Sequence, residues 1–82
     1  MIWNDMNEPS CFNQNEGTLP KYCLHNFIPN DAREENHIVE HRAVHNAYGL
    51  FNSMATAKGL LERTDNNERA FHLSRSFFAG SQ

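Results

Sequence analysis

A single strongly periodic segment, flanked on each side by a short apolar run, sets the range of folds open to this chain. Between about Glu40 and Leu61, the apolar residues Val44, Ala47, Tyr48, Phe51, Met54 and Ala55 recur at i, i+3, i+4, i+7, i+10 and i+11. That spacing is one face of a helix. Ahead of it, Met1-Ile2-Trp3-Asn4 reads as the end of a strand, because it is short, apolar and aromatic and then breaks into Asn, Glu, Pro and Ser. After it, Thr64-Asp65-Asn66-Asn67 reads as a turn, and Ala70 to Arg75 alternates apolar and polar as a second strand. From Ser10 to His37, Gly17, Pro20, Pro29 and several Asn residues leave no sustained period, which predicts one long loop. Loops beyond about 12–15 residues are commonly lids or insertions, or else disordered. Gly49 and Gly59 interrupt the helical pattern, each costing up to about 1 kcal/mol against Ala, and so mark close packing or a cap.

The order strand, long loop, helix, turn, strand predicts an α/β unit of two parallel strands joined by a right-handed crossover, as in a sheet or barrel. One such unit leaves sheet edges and a helix face uncovered, so it is expected to be incomplete on its own. The length of 82 residues points the same way, being at the small end for an independent core. Both ends run into apolar aromatic stretches, Ile2-Trp3 and Phe77-Phe78, which reads as an interior segment of a longer chain.

Charge and composition exclude some partners. The net charge is -3 and Lys and Arg are scattered singly, so no basic stripe tracks a phosphate backbone and no nucleic acid is expected. No apolar run in this segment approaches the roughly 18 to 20 residues of a membrane span. Cys11 and Cys23 lack C-x-x-C spacing and read as two free, partly buried thiols.

The chemistry-bearing residues gather at the strand ends. With a period of two, Trp3 and Asp5 share one face at the C-terminal end of the first strand. An aromatic plane can cover the C–H face of a sugar while an ionised Asp attacks or stabilises the anomeric carbon. Taken alone, Asp5 also fits an N-cap or turn carboxylate and Trp3 a core aromatic. Glu8 lies three residues on and should sit on the same side of a sugar as Asp5, whereas a general acid must reach the leaving oxygen from elsewhere. Arg75, ending the second strand, should project into the same mouth if the strands are parallel neighbours. There it would bind a sugar hydroxyl or favour ionised Asp5. A surface or interdomain salt bridge is the competing reading for it.

The run Trp3-Asn4-Asp5-Met6-Asn7-Glu8-Pro9-Ser10 resembles the nucleophile signature of glycoside hydrolase family 31. The likeness continues in order through Glu40-His41-Arg42, His45 to Leu50, Met54-Ala55-Thr56 and Ser74 to Gln82, covering nearly the whole chain. Within the family the sequence is most similar to the glucosidase II and neutral alpha-glucosidase branch. The resemblance implies that residues 1–82 are part of a (β/α)8 TIM-barrel catalytic domain of a retaining alpha-glucosidase acting by double displacement. It implies Asp5 as the nucleophile, Glu8 as a supporting carboxylate, Trp3 and Met6 as pocket lining, and Arg75 as a ligand to substrate hydroxyls. The family's acid/base Asp lies in a Trp-x-Gly-Asp stretch past the segment matched here. No metal or organic cofactor is implied. The substrate implied is a carbohydrate with terminal alpha-linked glucose, as in N-glycan trimming in the endoplasmic reticulum lumen beside a non-catalytic partner subunit. A lysosomal, secreted or microbial cytoplasmic setting, and alpha-xylosidase activity, stay open. Two departures stand out: Cys11 replaces a small aliphatic residue, and Pro29 to His37 is longer than the corresponding loop.

Two other readings compete. His37-Ile38-Val39-Glu40-His41 fits the H-x-x-E-H pattern of inverted zinc peptidases, with His45 one turn beyond His41. Against it, short patterns are common by chance in a chain with five histidines, and packing histidines at a helix start are the plainer expectation. The other is an inert truncated segment or binding module, since the chain by itself lacks a second catalytic carboxylate and most of a pocket. By itself it is expected to fold poorly and to be inactive.

Overall fold

The computed structural model describes residues 1–27 and 37–81. Strand β1 (Ile2–Asn4) is followed by a turn-rich excursion and then a hairpin of β2 (Leu24–Phe27) and β3 (His37–Glu40). A one-turn helix α1 (His41–Val44), a 3-10 turn (His45–Ala47) and helix α2 (Tyr48–Arg63) lead to β4 (His72–Ser74). No helix among the described residues is long and apolar enough to cross a membrane.

The strand-helix-strand reading holds at its two ends. β1 and β4 are parallel neighbours with Ile2, Trp3 and Asn4 opposite His72, Leu73 and Ser74. The Ile2 N–H also donates to the Phe71 carbonyl at 3.2 Å. The result is a two-stranded piece of α/β structure, and the described residues form no closed barrel.

The expected loop from Ser10 to His37 is not wholly a loop. β2 and β3 pair antiparallel, Leu24 opposite Glu40 and Asn26 opposite Ile38, and Ser10 bridges Thr18 in a smaller turn. Leu24-His25-Asn26-Phe27 has no alternation to announce a strand, so it is the partner strand that satisfies its backbone groups. The stretch read as a lengthened loop, Pro29 to His37, lies outside the described residues except where His37 opens β3.

The helix also departs from expectation. It is broken at His45–Ala47, where the Tyr48 N–H reaches the His45 carbonyl, and no Gly or Pro marks the break. The apolar stripe stays uncovered, as expected of an incomplete unit: Phe51, Met54 and Ala55 are exposed. The side of α2 that meets the strands is built from small and polar residues instead. Asn4 Nδ2 donates to Thr56 Oγ1 at 2.7 Å, and Asn7 Nδ2 to Asn52 Oδ1 at 3.3 Å. Gly49 makes this approach feasible, since a Cβ there would lie 2.8 Å from Ser76 Cβ and 3.0 Å from the Asn7 carbonyl oxygen. Gly59 has open space around it and the helix runs on past it, so it is neither a packing contact nor a cap. The helix ends at the expected turn. Asp65 and Asn66 adopt positive φ, and their N–H groups bond back to the Glu62 and Leu61 carbonyls, a Schellman arrangement with Asp where Gly is usual.

Among the described residues no apolar side chain other than that of Pro9 is buried, and Trp3, Phe12, Tyr22, Ile38, Phe71 and Phe77 are each more than half exposed. Hydrophobic burial is the main favourable term in folding, at about 25 cal/mol per Å² of apolar surface. Little of it is available here to offset chain entropy. The 82-residue chain in isolation is therefore expected to show no cooperative thermal transition by circular dichroism or calorimetry; a sharp two-state melt would contradict this packing analysis.

Candidate active site

The register of the parallel pair dictates which side chains meet. Because Asn4 stands opposite Ser74, the next residues along the two strands are Asp5 and Arg75. Arg75 Nε lies 3.2 Å from Asp5 Oδ1 and 2.7 Å from Glu8 Oε1. One guanidinium therefore serves two carboxylates, both through Nε, with the hydrogen bond going to Glu8. All three side chains are roughly one-third to one-half exposed, so solvent screens the attraction and the cluster contributes geometry more than stability.

The turn after β1 is tightly specified. Met6 takes a left-handed φ of 60°, and Glu8-Pro9 is a cis peptide. The Ser10 N–H closes the turn on the Met6 carbonyl at 2.8 Å. Ser10 Oγ donates to Glu8 Oε2 at 2.7 Å and lies 3.4 Å from an Arg75 terminal nitrogen. The Ser10 hydroxyl is the main cause that holds the Glu8 carboxyl below the usual glutamate range; desolvation opposes it, and Arg75 adds to the lowering.

The remaining sequence-derived candidates sit differently. Asn4 faces α2, so by strand alternation Trp3 stands on the opposite face of the two-stranded ribbon, where it is 65% exposed beside its register partner Leu73. Met6 is also exposed. An open groove of about 590 Å³ adjoins the ion cluster, with Glu8 and Arg75 on one side and His45 to Ala47 and Ser76 to Phe78 on the other. Trp3, Asp5 and Met6 do not line it. Asp5, Glu8 and Arg75 are thus brought together, while Trp3 and Met6 stay apart from that groove.

Ser10, Asn7 and Ser74 belong to the site and were not singled out from the sequence. Ser74 Oγ donates to Asn7 Oδ1 at 3.0 Å and accepts the Ser76 N–H at 3.2 Å. Their place within the runs Trp3 to Ser10 and Ser74 to Gln82 was the available signal.

The histidines form a chain rather than a metal cradle. His25 Nε2 lies 2.9 Å from His41 Nδ1, and His41 Nε2 lies 2.8 Å from His45 Nδ1. Both ring nitrogens of His41 are therefore occupied, and the ring is 1% exposed. Burial first, then the charges of His45 and His25, push its pKa down. The Glu40 carboxylate pairs with Arg42. The His37 side chain lies outside the described residues; among those described, no group of three His, Cys, Asp or Glu side chains is set to hold a metal ion. Cys11 and Cys23 are free thiols, as expected.

Residues 1–82 match the family model described as glycosyl hydrolases family 31 TIM-barrel domain. The chain is 54% identical over 81 residues to a probable glucan 1,3-alpha-glucosidase of Oryza sativa subsp. japonica, covering 99% of this chain and 8% of that protein. It is 52% identical over 81 residues to neutral alpha-glucosidase AB of Homo sapiens, with the same shares covered. Against neutral alpha-glucosidase C of Homo sapiens the identity is 48% over 81 residues, again 99% and 8%. The chain thus spans 8% of the length of these relatives.

The lowered pKa of Glu8 carries a sign that can be checked. A carboxyl held lower in the folded state stabilises above its unfolded pKa, and that contribution is lost as pH falls through the folded value. In the full-length protein, the melting-temperature difference between wild type and Glu8→Gln should be largest near neutral pH and shrink below the usual glutamate range. A difference independent of pH would contradict the Ser10–Glu8–Arg75 assignment.

Proposed function

The chain belongs to the glycosyl hydrolase family 31 TIM-barrel domain family, and from that membership we propose that it is the nucleophile-bearing segment of a retaining alpha-glucosidase. The observation that carries the reading is Arg75 binding both Asp5 and Glu8 at the C-terminal ends of two parallel strands. Catalytic groups on parallel-stranded barrels gather at that end.

Asp5 is the group suited to attack the anomeric carbon. It follows β1 directly, and Arg75 and the turn through Met6 orient it. The Asp5 carboxylate forms a bond to the anomeric carbon as the leaving oxygen departs with a proton, and water then cleaves the glycosyl ester. Glu8 shares Arg75 with Asp5 and so lies on the same side of the sugar. It supports the nucleophile by holding the guanidinium in place. The proton donor must approach from the other side, with carboxyl groups about 5–5.5 Å apart in retaining enzymes, and is assigned to a residue outside this chain. Trp3 and Met6, exposed at the mouth of β1, would line the sugar pocket, and Arg75 would reach a substrate hydroxyl.

The substrate proposed is a carbohydrate ending in alpha-linked glucose, and the name of the Oryza sativa relative, probable glucan 1,3-alpha-glucosidase, supports an alpha-1,3 linkage. N-glycan trimming in the endoplasmic reticulum lumen, alongside a non-catalytic partner subunit, is the setting this branch of the family suggests. The 82-residue chain alone would be inert, because it holds one side of the reaction and not the other.

Asp5→Asn in the full-length enzyme tests the role. It removes the nucleophile with little change in shape, and kcat on a chromogenic aryl alpha-glucoside should fall by roughly 10⁴-fold or more, in line with losses of other catalytic residues. Turnover near wild type in a folded Asp5→Asn enzyme would remove Asp5 from this role.

A further inference from the structure

The peptide that carries Asp5 is suspended between two anchors on one helix. Upstream, Asn4 Nδ2 donates to Thr56 Oγ1 at 2.7 Å; downstream, Asn7 Nδ2 donates to Asn52 Oδ1 at 3.3 Å. Thr56 and Asn52 are one turn apart on α2, and Thr56 Oγ1 also donates to the Asn52 carbonyl at 2.9 Å. Between the anchors lie Asp5 and Met6, the latter at a φ of 60°. A non-glycine residue holds that conformation only where its surroundings over-determine it.

Asn7 is placed to contribute to that determination. It is 6% exposed, and with His41 it makes up the buried polar side chains among the described residues. Its amide uses both ends: Nδ2 on α2, and Oδ1 accepting from Ser74 Oγ of β4 at 3.0 Å. The Ser74 hydroxyl in turn accepts the Ser76 N–H, so donors and acceptors match along the path from helix to strand. Satisfied networks centred on a buried amide favour one arrangement over its neighbours. The Asn7 main chain is pressed equally close, with its carbonyl oxygen 3.0 Å from where a Gly49 Cβ would stand.

We propose that Asn7 is a positioning residue: its side-chain amide ties the turn between Asp5 and Glu8 to α2 and β4, and thereby sets where the Asp5 carboxylate stands against the sugar. This rests on Asp5 being the nucleophile. Asn7 does not touch the reacting atoms. Displacements of about 1 Å at a nucleophile can cost about 100-fold in rate while leaving ground-state binding nearly intact.

The test is steady-state kinetics of full-length variants on a chromogenic aryl alpha-glucoside, with thermal melts recorded alongside. Asn7→Ala should lower kcat by about 100-fold with KM within about threefold of wild type, because the nucleophile is misplaced and the sugar contacts remain. Asn52→Ala and Ser74→Ala each cut one end of the tie and should lower kcat by about 3- to 10-fold. Their double variant should lose less than the product, since the ends act through one amide. These two substitutions decide the matter if Asn7→Ala does not fold. Wild-type kcat in both, or losses confined to KM, would overturn the proposal. Asp5→Asn is the control: inactivity there with normal kcat in the tie variants rejects positioning alone, whereas activity there rejects the nucleophile assignment beneath it.

Discussion

The parallel register between β1 and β4 is the constraint on which the site depends. Once Asn4 is opposite Ser74, Asp5 and Arg75 leave adjacent strands side by side. The turn that follows then folds Glu8 back onto the same guanidinium. Shifting the register by one residue would put Asp5 and Arg75 on opposite faces of the pair. Backbone pairing thus does the coarse placement. The polar contacts of Asn4, Asn7 and Ser74 refine it by fixing the strand ends against each other and against α2.

Those contacts are polar because the approach is close. Gly49 lets the Asn7 main chain and the Ser76 side chain press against the first turn of α2, leaving room for short hydrogen-bonding side chains rather than large apolar ones. Meanwhile Trp3, Leu73 and Met54 present apolar surface that the described residues do not cover. In a family defined by a TIM barrel, strands are covered by neighbouring strands and by the layered barrel interior. A functional site is therefore specified locally while the stability of the segment is not.

Much of this was legible in the sequence, for reasons that differ by element. β1, β4 and the turn after α2 were readable because a short apolar run that breaks into turn residues, apolar alternation, and a run of Asp and Asn are local signals. The meeting of Arg75 with Asp5 followed from parallel topology. The β2–β3 hairpin was not readable, because four-residue strands such as Leu24 to Phe27 owe their state to a partner rather than to a period. The break at His45–Ala47 carries no Gly or Pro and coincides with the His25–His41–His45 chain, a tertiary feature. Asn52 and Thr56, which meet the strands, lie outside the apolar stripe, so its periodicity did not mark them. Asn7 went unnoticed for the same reason, its importance lying in contacts 45 and 67 residues away.

The central claim is that Asp5 becomes covalently glycosylated during turnover, with Glu8 and Arg75 holding the site around it. The most direct measurement is to trap that species in the full-length enzyme with a slowly hydrolysed fluorinated alpha-glucosyl fluoride, digest it, and locate the added sugar mass by peptide sequencing in the mass spectrometer. The account predicts a single adduct on Asp5, within the peptide spanning Trp3 to Ser10. An adduct on Glu8, or stoichiometric inactivation with the label elsewhere, would contradict it.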